Sequence, residues 1–352
     1  MDYRKEIDGL RALAVLPVIF FHAGFDVFGG GFVGVDVFFV ISGYLITTII
    51  LADLAKGTFS VVKFYERRAR RILPALFLVM LASLVVGYFT LMPDEFKNLG
   101  QSLVSTSLFS NNVLLALTSG YWELASEFKP LLHTWSLGVE EQYYLITPIA
   151  LLFAWKYCKH KISSLLFAGF VVSFIFAAGL VTVSPNWAFY SLPTRAWEIS
   201  IGGLAALFLQ SNPGITTHFK TSNLLSLLGI AFIVCSVFLF DRSINSPGPL
   251  LLIPTAGAVL VIIFATEGTL ASFALGQRAV VFMGLLSYSL YLWHQPVFAF
   301  LRAFSIEKPS TIAFGASTIL VFLFAYLSWK YIETPCRNGK KPVEELYFWR
   351  QR

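Results

Sequence analysis

About ten unbroken apolar runs of roughly 17–22 residues follow one another along this chain, and that is the length an α-helix needs to cross a bilayer. They lie near 11–27, 33–52, 72–91, 136–155, 164–183, 196–210, 223–240, 250–266, 280–300 and 311–330. Hydrocarbon cannot hydrogen-bond a bare backbone, so a chain built this way is either a helical bundle or a closed barrel. Barrel strands alternate apolar and polar residues, and these runs do not. The reading is therefore all-α: a polytopic helical membrane protein of about ten transmembrane helices. Composition agrees, because 57% of the residues are hydrophobic and 13% charged, against about 25% charged in a soluble domain. Intrinsic disorder, a secreted disulfide scaffold and a soluble multidomain enzyme are excluded. Cys158, Cys235 and Cys336 offer no CxxC pair and are read as packing residues.

The formal net charge of +6 does not indicate nucleic acid, because the basic residues fall in short connections where they set topology. Residues 98–118 (NLGQSLVSTSLFSNNVLLALT) are long enough to cross but contain Gln101, Asn111 and Asn112. Were this segment a span, KYCKHK after Trp155 would fall on the face opposite RRARR. It is therefore expected to be an outer interfacial helix, polar face wet and apolar face in the headgroup boundary. That choice leaves only Lys97, Lys129, Arg195, Arg242, Arg302 and Lys308 outside, and puts both termini in the cytoplasm. No cleavage site follows the first apolar run, which is kept as a span. One membrane domain is expected over 1–337, with a cytoplasmic tail at 338–352.

Ionisable side chains within spans are costly and usually functional. His22 lies about 16 Å along its helix from Arg11, in the outer half of the bilayer. Asp36 begins the next span at a similar depth, placed to fix the imidazole tautomer. The fourth span opens HTWSLGVEEQYYL, carrying His133, Trp135, Glu140 and Glu141; adjacent carboxylates cannot share one helix face. Arg195 and Glu198 open the sixth span in PTRAWE. His294 lies about 22 Å up a span that starts inside, and Pro296 weakens the helix just beyond it. Histidines and carboxylates from five spans thus converge at one depth, a pattern that a proton-coupled transporter also shows.

A second cluster is basic. KFYERRARR places Lys63, Arg67, Arg68, Arg70 and Arg71 against the cytoplasmic start of the third span. Such residues anchor topology and touch anionic lipid, yet four arginines exceed what orientation requires and suit a multiply phosphorylated ligand. GGGFVGVD lacks the strand before it and the Lys-Ser/Thr after it that a phosphate loop needs, so it reads as a tight outer turn where backbones approach. Ser42, deep in FFVISGYL, reads as a packing or helix-bonding hydroxyl. His22, His133 and His294 show no i, i+4 ligand pair, and no metal is expected.

The ordered motifs YRKEIDGLRALAVLPVIFFH, GGGFVGVDVFFVISGYLIT, FYERRARRILPAL, LLHTWSLGVEEQYYL, PTRAWE, SYSLYLWHQP and YIETPCR resemble the acyltransferase-3 family. Its members are integral membrane O-acyltransferases that decorate bacterial surface polysaccharides. The resemblance runs from residue 3 to about 337. It implies ten spans, residence in the bacterial inner membrane, acetyl-CoA as cytoplasmic donor, and a hydroxyl of a lipid-linked or exported glycan, such as O-antigen, as outer acceptor. The family's essential Arg and His fall on Arg11 and His22, and its basic motif on Arg68 and Arg71. Many relatives continue into an SGNH-type domain, so a separate SGNH-type partner is a further expectation.

On that basis Arg11, Arg67, Arg68, Arg70 and Arg71 are expected to bind the CoA phosphates, and one chamber to join them to His22. His22 would be general base or transient acyl carrier, with Asp36, Glu140 and Glu141 beside it in the chemistry. His133, Trp135, Arg195, Glu198 and His294 would position the acceptor, and Tyr121, Trp122 and Trp187 would stack on sugar. The rival reading is a glycan flippase or a proton-coupled transporter.

Overall fold

A computed structural model describes residues 3–118, 125–212, 214–215, 218–305, 307 and 309–338. The described residues form α1 (Lys5–His22), α2 (Gly34–Ala55), α3 (Val61–Thr90), α4 (Pro93–Ser107), α5 (Asn111–Leu117), α6 (Thr134–Tyr157), α7 (Ile162–Val183) and α8 (Pro185–Tyr190). They continue with α9 (Leu192–Ser211), α10 (Phe219–Leu239), α11 (Leu252–Phe264), α12 (Leu270–Leu275), α13 (Arg278–Phe304) and α14 (Thr311–Ser328). A π-turn at Trp329–Glu333 leads from α14 into α15 (Thr334–Asn338). No strand occurs among the described residues. The protein is an all-α polytopic membrane protein. The expected tail 338–352 lies, apart from Asn338, outside the described residues.

Each of the apolar runs read from the sequence falls on a helix, but the helices are not all alike. The segments 31–55, 61–90, 159–183, 219–239 and 311–337 are long and apolar enough to cross a membrane by themselves. α11 has 13 residues, or about 20 Å of rise, which is short of a full hydrocarbon core. α1, α6, α9 and α13 are interrupted by ionisable or amide side chains. Polar residues turn inward: Glu6, Asp8, Arg195, Glu198, His294 and Gln295 are all buried, as are Asp36 of α2 and His133 just before α6. Outward faces are apolar instead, with Phe77, Leu81, Phe89, Phe153, Phe176, Leu239 and Ile319 exposed. A soluble protein does not leave so much apolar surface open to water.

Small residues let the central helices touch. On α2, Gly43 sits against the carbonyl of Ile199, and Gly202 of α9 sits against that of Val40, so a Cβ at either position would collide with backbone. Lipid supplies no hydrophobic force between helices, and close van der Waals approach takes its place. The glycine-rich turn works the same way, with Gly31 on the carbonyl of Pro17 and Gly34 on that of Ala14.

The segment 98–118 departs from expectation. It is two helices, α4 and α5, broken where Phe109 takes a φ of 51°. Much of its polar face is buried, with Ser102, Thr106, Asn111 and Asn112 inside. Asn111 donates to the Leu131 carbonyl and to Thr134, and Asn112 donates to the Tyr190 carbonyl at 3.0 Å. The exposed residues are Val104, Leu108, Val113 and Leu117 together with Gln101 and Ser107. Where the surroundings are apolar, amides must find partners inside and aliphatic side chains can face out. Nor does Pro296 break its helix, because α13 runs through it. The cysteines are free, and Cys235 and Cys336 are exposed rather than packed.

Candidate active site

Five helices enclose a cavity of about 370 Å³. α2 contributes Val35, Phe38, Phe39, Ser42, Leu45, Ile46 and Ile49, one face of a helix at i, i+3, i+4 spacing. From Val35 to Ile49 that face is about 21 Å long. One end is lined by Arg11 of α1 and by Arg67, Arg68 and Arg71 of α3. The other end is lined by His133, Ser136 and Tyr291.

At the basic end, three arginines already hold carboxylates. Arg11 pairs with Asp8 at 3.3 Å, Arg67 with Asp53 at 3.2 Å, and Arg68 with Glu141 at 2.7 Å. Arg68 also lies 3.6 Å from the centroid of the Tyr144 ring, a cation–π contact. Arg71 forms no ion pair among the described residues, although it is flanked by Arg11 and Arg68. Glu333 is the carboxylate near enough to act on its charge without pairing with it, and a planar fork left unpaired suits phosphate. Arg70 belongs elsewhere: it pairs with Glu66 on the outside of α3 and does not line this cavity.

In the middle, the neighbouring glutamates part as the helix requires. Glu140 faces the cavity and accepts a 2.7 Å hydrogen bond from Ser42, whereas Glu141 turns to Arg68. Ser42 is thus the helix-bonding hydroxyl. The sequence reading passed over the tyrosines. Tyr144 stands one turn from Glu140 and Tyr291 nearly one turn before His294, spacings that could have marked both. Tyr291 donates to the His133 carbonyl at 2.9 Å and shares a 2.7 Å hydrogen bond with Ser136, pinning α13 to the start of α6.

The outer end holds three histidines in contact. Ring centroids of His133 and His294 are 5.4 Å apart, and those of His294 and His22 are 5.1 Å apart. Nδ1 of His22 lies 2.9 Å from the Val18 carbonyl, and Nδ1 of His294 lies 2.6 Å from that of Tyr291. A carbonyl only accepts, so both rings carry the proton on Nδ1 and leave Nε2 as the bare nitrogen. His133 is buried, with neither ring nitrogen bonded. The described residues hold no group of three His, Cys, Asp or Glu arranged for a metal ion.

Several sequence expectations are corrected here. His22 does not line the cavity, which stops at His133, one imidazole short of His294 and two short of His22. Asp36 does not orient His22. Its Oδ1 accepts from Arg195 at 2.7 Å, and the same guanidinium nitrogen donates to Glu198 at 2.6 Å. All three side chains are at most 2% exposed. Arg195 and Glu198 are therefore locked inside the bundle and do not line the cavity. Trp135 is buried against Phe39, Phe189 and Tyr190, with no face free for a sugar. Trp187 is partly exposed, on a separate apolar groove. Tyr121 and Trp122 lie outside the described residues.

Fold and cavity together define a class: a membrane-embedded helical bundle whose interior runs from an arginine-lined mouth to a cluster of imidazoles. Residues 4–330 match the acyltransferase-3 family, an acyltransferase domain, and the chain belongs to that family. It is 31% identical to the peptidoglycan O-acetyltransferase OatA of Listeria monocytogenes, over 96% of this chain and 56% of that protein. It is 32% identical to YrhL of Bacillus subtilis, named "Putative peptidoglycan O-acetyltransferase", over 96% of this chain and 55% of that one. A Staphylococcus aureus relative, "Putative O-acetyltransferase SAS0844", is 30% identical over 96% and 58%. The chain thus spans a little over half the length of these curated relatives. No solved structure matches it.

Proposed function

We propose that this chain is a membrane O-acyltransferase moving an acetyl group from cytoplasmic acetyl-CoA to a hydroxyl of a bacterial cell-envelope glycan at the outer face of the inner membrane, with both termini inside. The observation that carries this reading is the single cavity with unpaired Arg71 at one end and unbonded His133 at the other. The family match supplies the acyl chemistry, and the names of the relatives put peptidoglycan beside O-antigen among the acceptors to test.

Arg71, with Arg11, Arg67 and Arg68, holds the phosphates of CoA through charge-assisted hydrogen bonds. The acyl-bearing arm extends along the apolar face of α2, whose length of about 21 Å suits a long flexible chain. Glu140 and Ser42 flank the arm midway, and the thioester reaches the imidazoles. Nε2 of His22, free of its own helix, serves as general base toward the acceptor hydroxyl.

Replacing His22 with Ala in cells tests the assignment by separating chemistry from transport. Envelope glycan should lose its O-acetyl groups, read by mass spectrometry, while the amount of exported glycan stays normal. Lost export with acetylation intact on what remains would instead identify a flippase.

A further inference from the structure

The histidine that a donor in the cavity meets is not His22. His133 lines the cavity, is 2% exposed, and has two ring nitrogens without a hydrogen-bond partner. A buried imidazole left in that state is unusual, because buried polar atoms are nearly always satisfied by protein or by a ligand. Nothing in its own helix accounts for it: its carbonyl is held by Tyr291 and the α6 helix starts at the next residue, so backbone position is fixed while the ring stays uncommitted. His22 is the opposite case, with Nδ1 already bonded and a second imidazole, His294, standing between it and His133. A thioester in the cavity and a glycan hydroxyl at His22 are therefore separated by a layer of imidazole, and a direct attack of one on the other has no path through it.

We propose that His133 is the acyl carrier: it takes the acetyl group from the thioester on the cavity side and yields it to the acceptor on the His294–His22 side. In the first half-reaction the bare ring nitrogen of His133 attacks the thioester carbonyl. A C–N bond forms, the C–S bond breaks, and the departing sulfur takes the proton of the other ring nitrogen, leaving a neutral N-acylimidazole and free CoA thiol. In the second, the acceptor oxygen attacks that acyl carbon. A C–O bond forms and the C–N bond breaks. The hydroxyl proton passes to Nε2 of His22 and then, by way of His294, to His133, which regains its starting form. No other reactant is needed. Imidazole suits the task because it is a nucleophile when neutral and its acyl derivative remains reactive. His294, bonded at Nδ1 and bare at Nε2, is the relay that lets the proton cross the same layer.

This inference rests on the acyltransferase reading, and a pre-steady-state experiment separates the two. Purified full-length protein in detergent is mixed with radiolabelled acetyl-CoA without acceptor, and thiol release and protein-bound label are followed. Wild type should give a burst of thiol approaching one per protein, with label that hydroxylamine discharges and that maps to the peptide bearing His133. His133→Gln should lose both burst and label. His22→Gln should keep both and fail only to pass the label to added glycan. Because the mapping uses wild-type protein, misfolding of a variant cannot mimic a negative result. Label on His22 or Ser42, or glycan acetylation by wild type with neither burst nor label, would overturn the carrier role and leave the acyltransferase reading in place. No thiol release even with glycan present would overturn both.

Discussion

Replacing Arg195 with Met should unfold much of this protein without touching its cavity. The guanidinium is 2% exposed and its Nη1 donates to Asp36 at 2.7 Å and to Glu198 at 2.6 Å, carboxylates that are 1% and 0% exposed. Methionine fills a similar volume, so little packing is lost, but two buried carboxylates then share one site with no counter-ion. Breaking a buried ion pair from one side costs about 3–5 kcal/mol, and domains are stable by only about 5–15 kcal/mol. The assay is the fraction remaining monodisperse in detergent across a temperature series, with a denaturant midpoint alongside. The triple variant Asp36→Asn, Arg195→Met, Glu198→Gln should recover most of the loss, because a buried ionic triad replaced as a unit is often tolerated. A single variant within about 1 kcal/mol of wild type, or a triple variant no better than the single, would refute the account. The same experiment addresses the acceptor-binding role that the sequence suggested for Arg195: a residue of that kind would leave a stable protein that no longer transfers.

Within the basic mouth, Arg71→Gln should raise the KM for acetyl-CoA by about 10–150-fold, the loss of one charge-assisted hydrogen bond of about 1.5–3 kcal/mol. Arg70→Gln should leave it unchanged, since that side chain is 57% exposed and pairs with Glu66; equal effects would deny the cavity its role as donor site. Gly43→Ala should destabilise by about 1–3 kcal/mol through overpacking against the Ile199 carbonyl, whereas Gly100→Ala, with open space around it, should be neutral or mildly stabilising. Thermal midpoints in detergent measure both, and a silent Gly43→Ala would mean that α2 and α9 are free to move apart.

How much of this was legible in the sequence follows from how membranes constrain chains. Apolar length alone located every long helix, because the backbone has no alternative to helix in hydrocarbon. Charge placement suggested that 98–118 stays on one side, yet it could not show that Asn111 and Asn112 are buried, since their partners are carbonyls and side chains of α6, α8 and the loop before α6. Depth along each helix correctly brought His22 and His294 to one level. Depth says nothing of azimuth, however, and Asp36 at the same level points to Arg195 of α9 instead of His22 of α1. That is why the cluster read as one site divides into two: a structural triad of Asp36, Arg195 and Glu198, and an imidazole group backed by Tyr291.

Hydropathy divides the helices in a way that bears on function. Of the five helices that build the cavity, only α2 and α3 have the length and apolarity of a self-sufficient span. α1, α6 and α13 fall short because they carry Arg11, Glu140, Glu141 and His294, side chains that lipid would not accept at an outward face. α7, α10 and α14, which do qualify, contribute no residue to the cavity wall. A polar side chain in such a bundle must turn inward, and on α1 and α6 Arg11 and Glu140 line the cavity, whereas on α9 Arg195 and Glu198 are buried with Asp36 away from it. Three of the four helices that ionisable or amide side chains weaken as membrane spans, α1, α6 and α13, thus reach the cavity, and the fourth, α9, carries the buried triad instead.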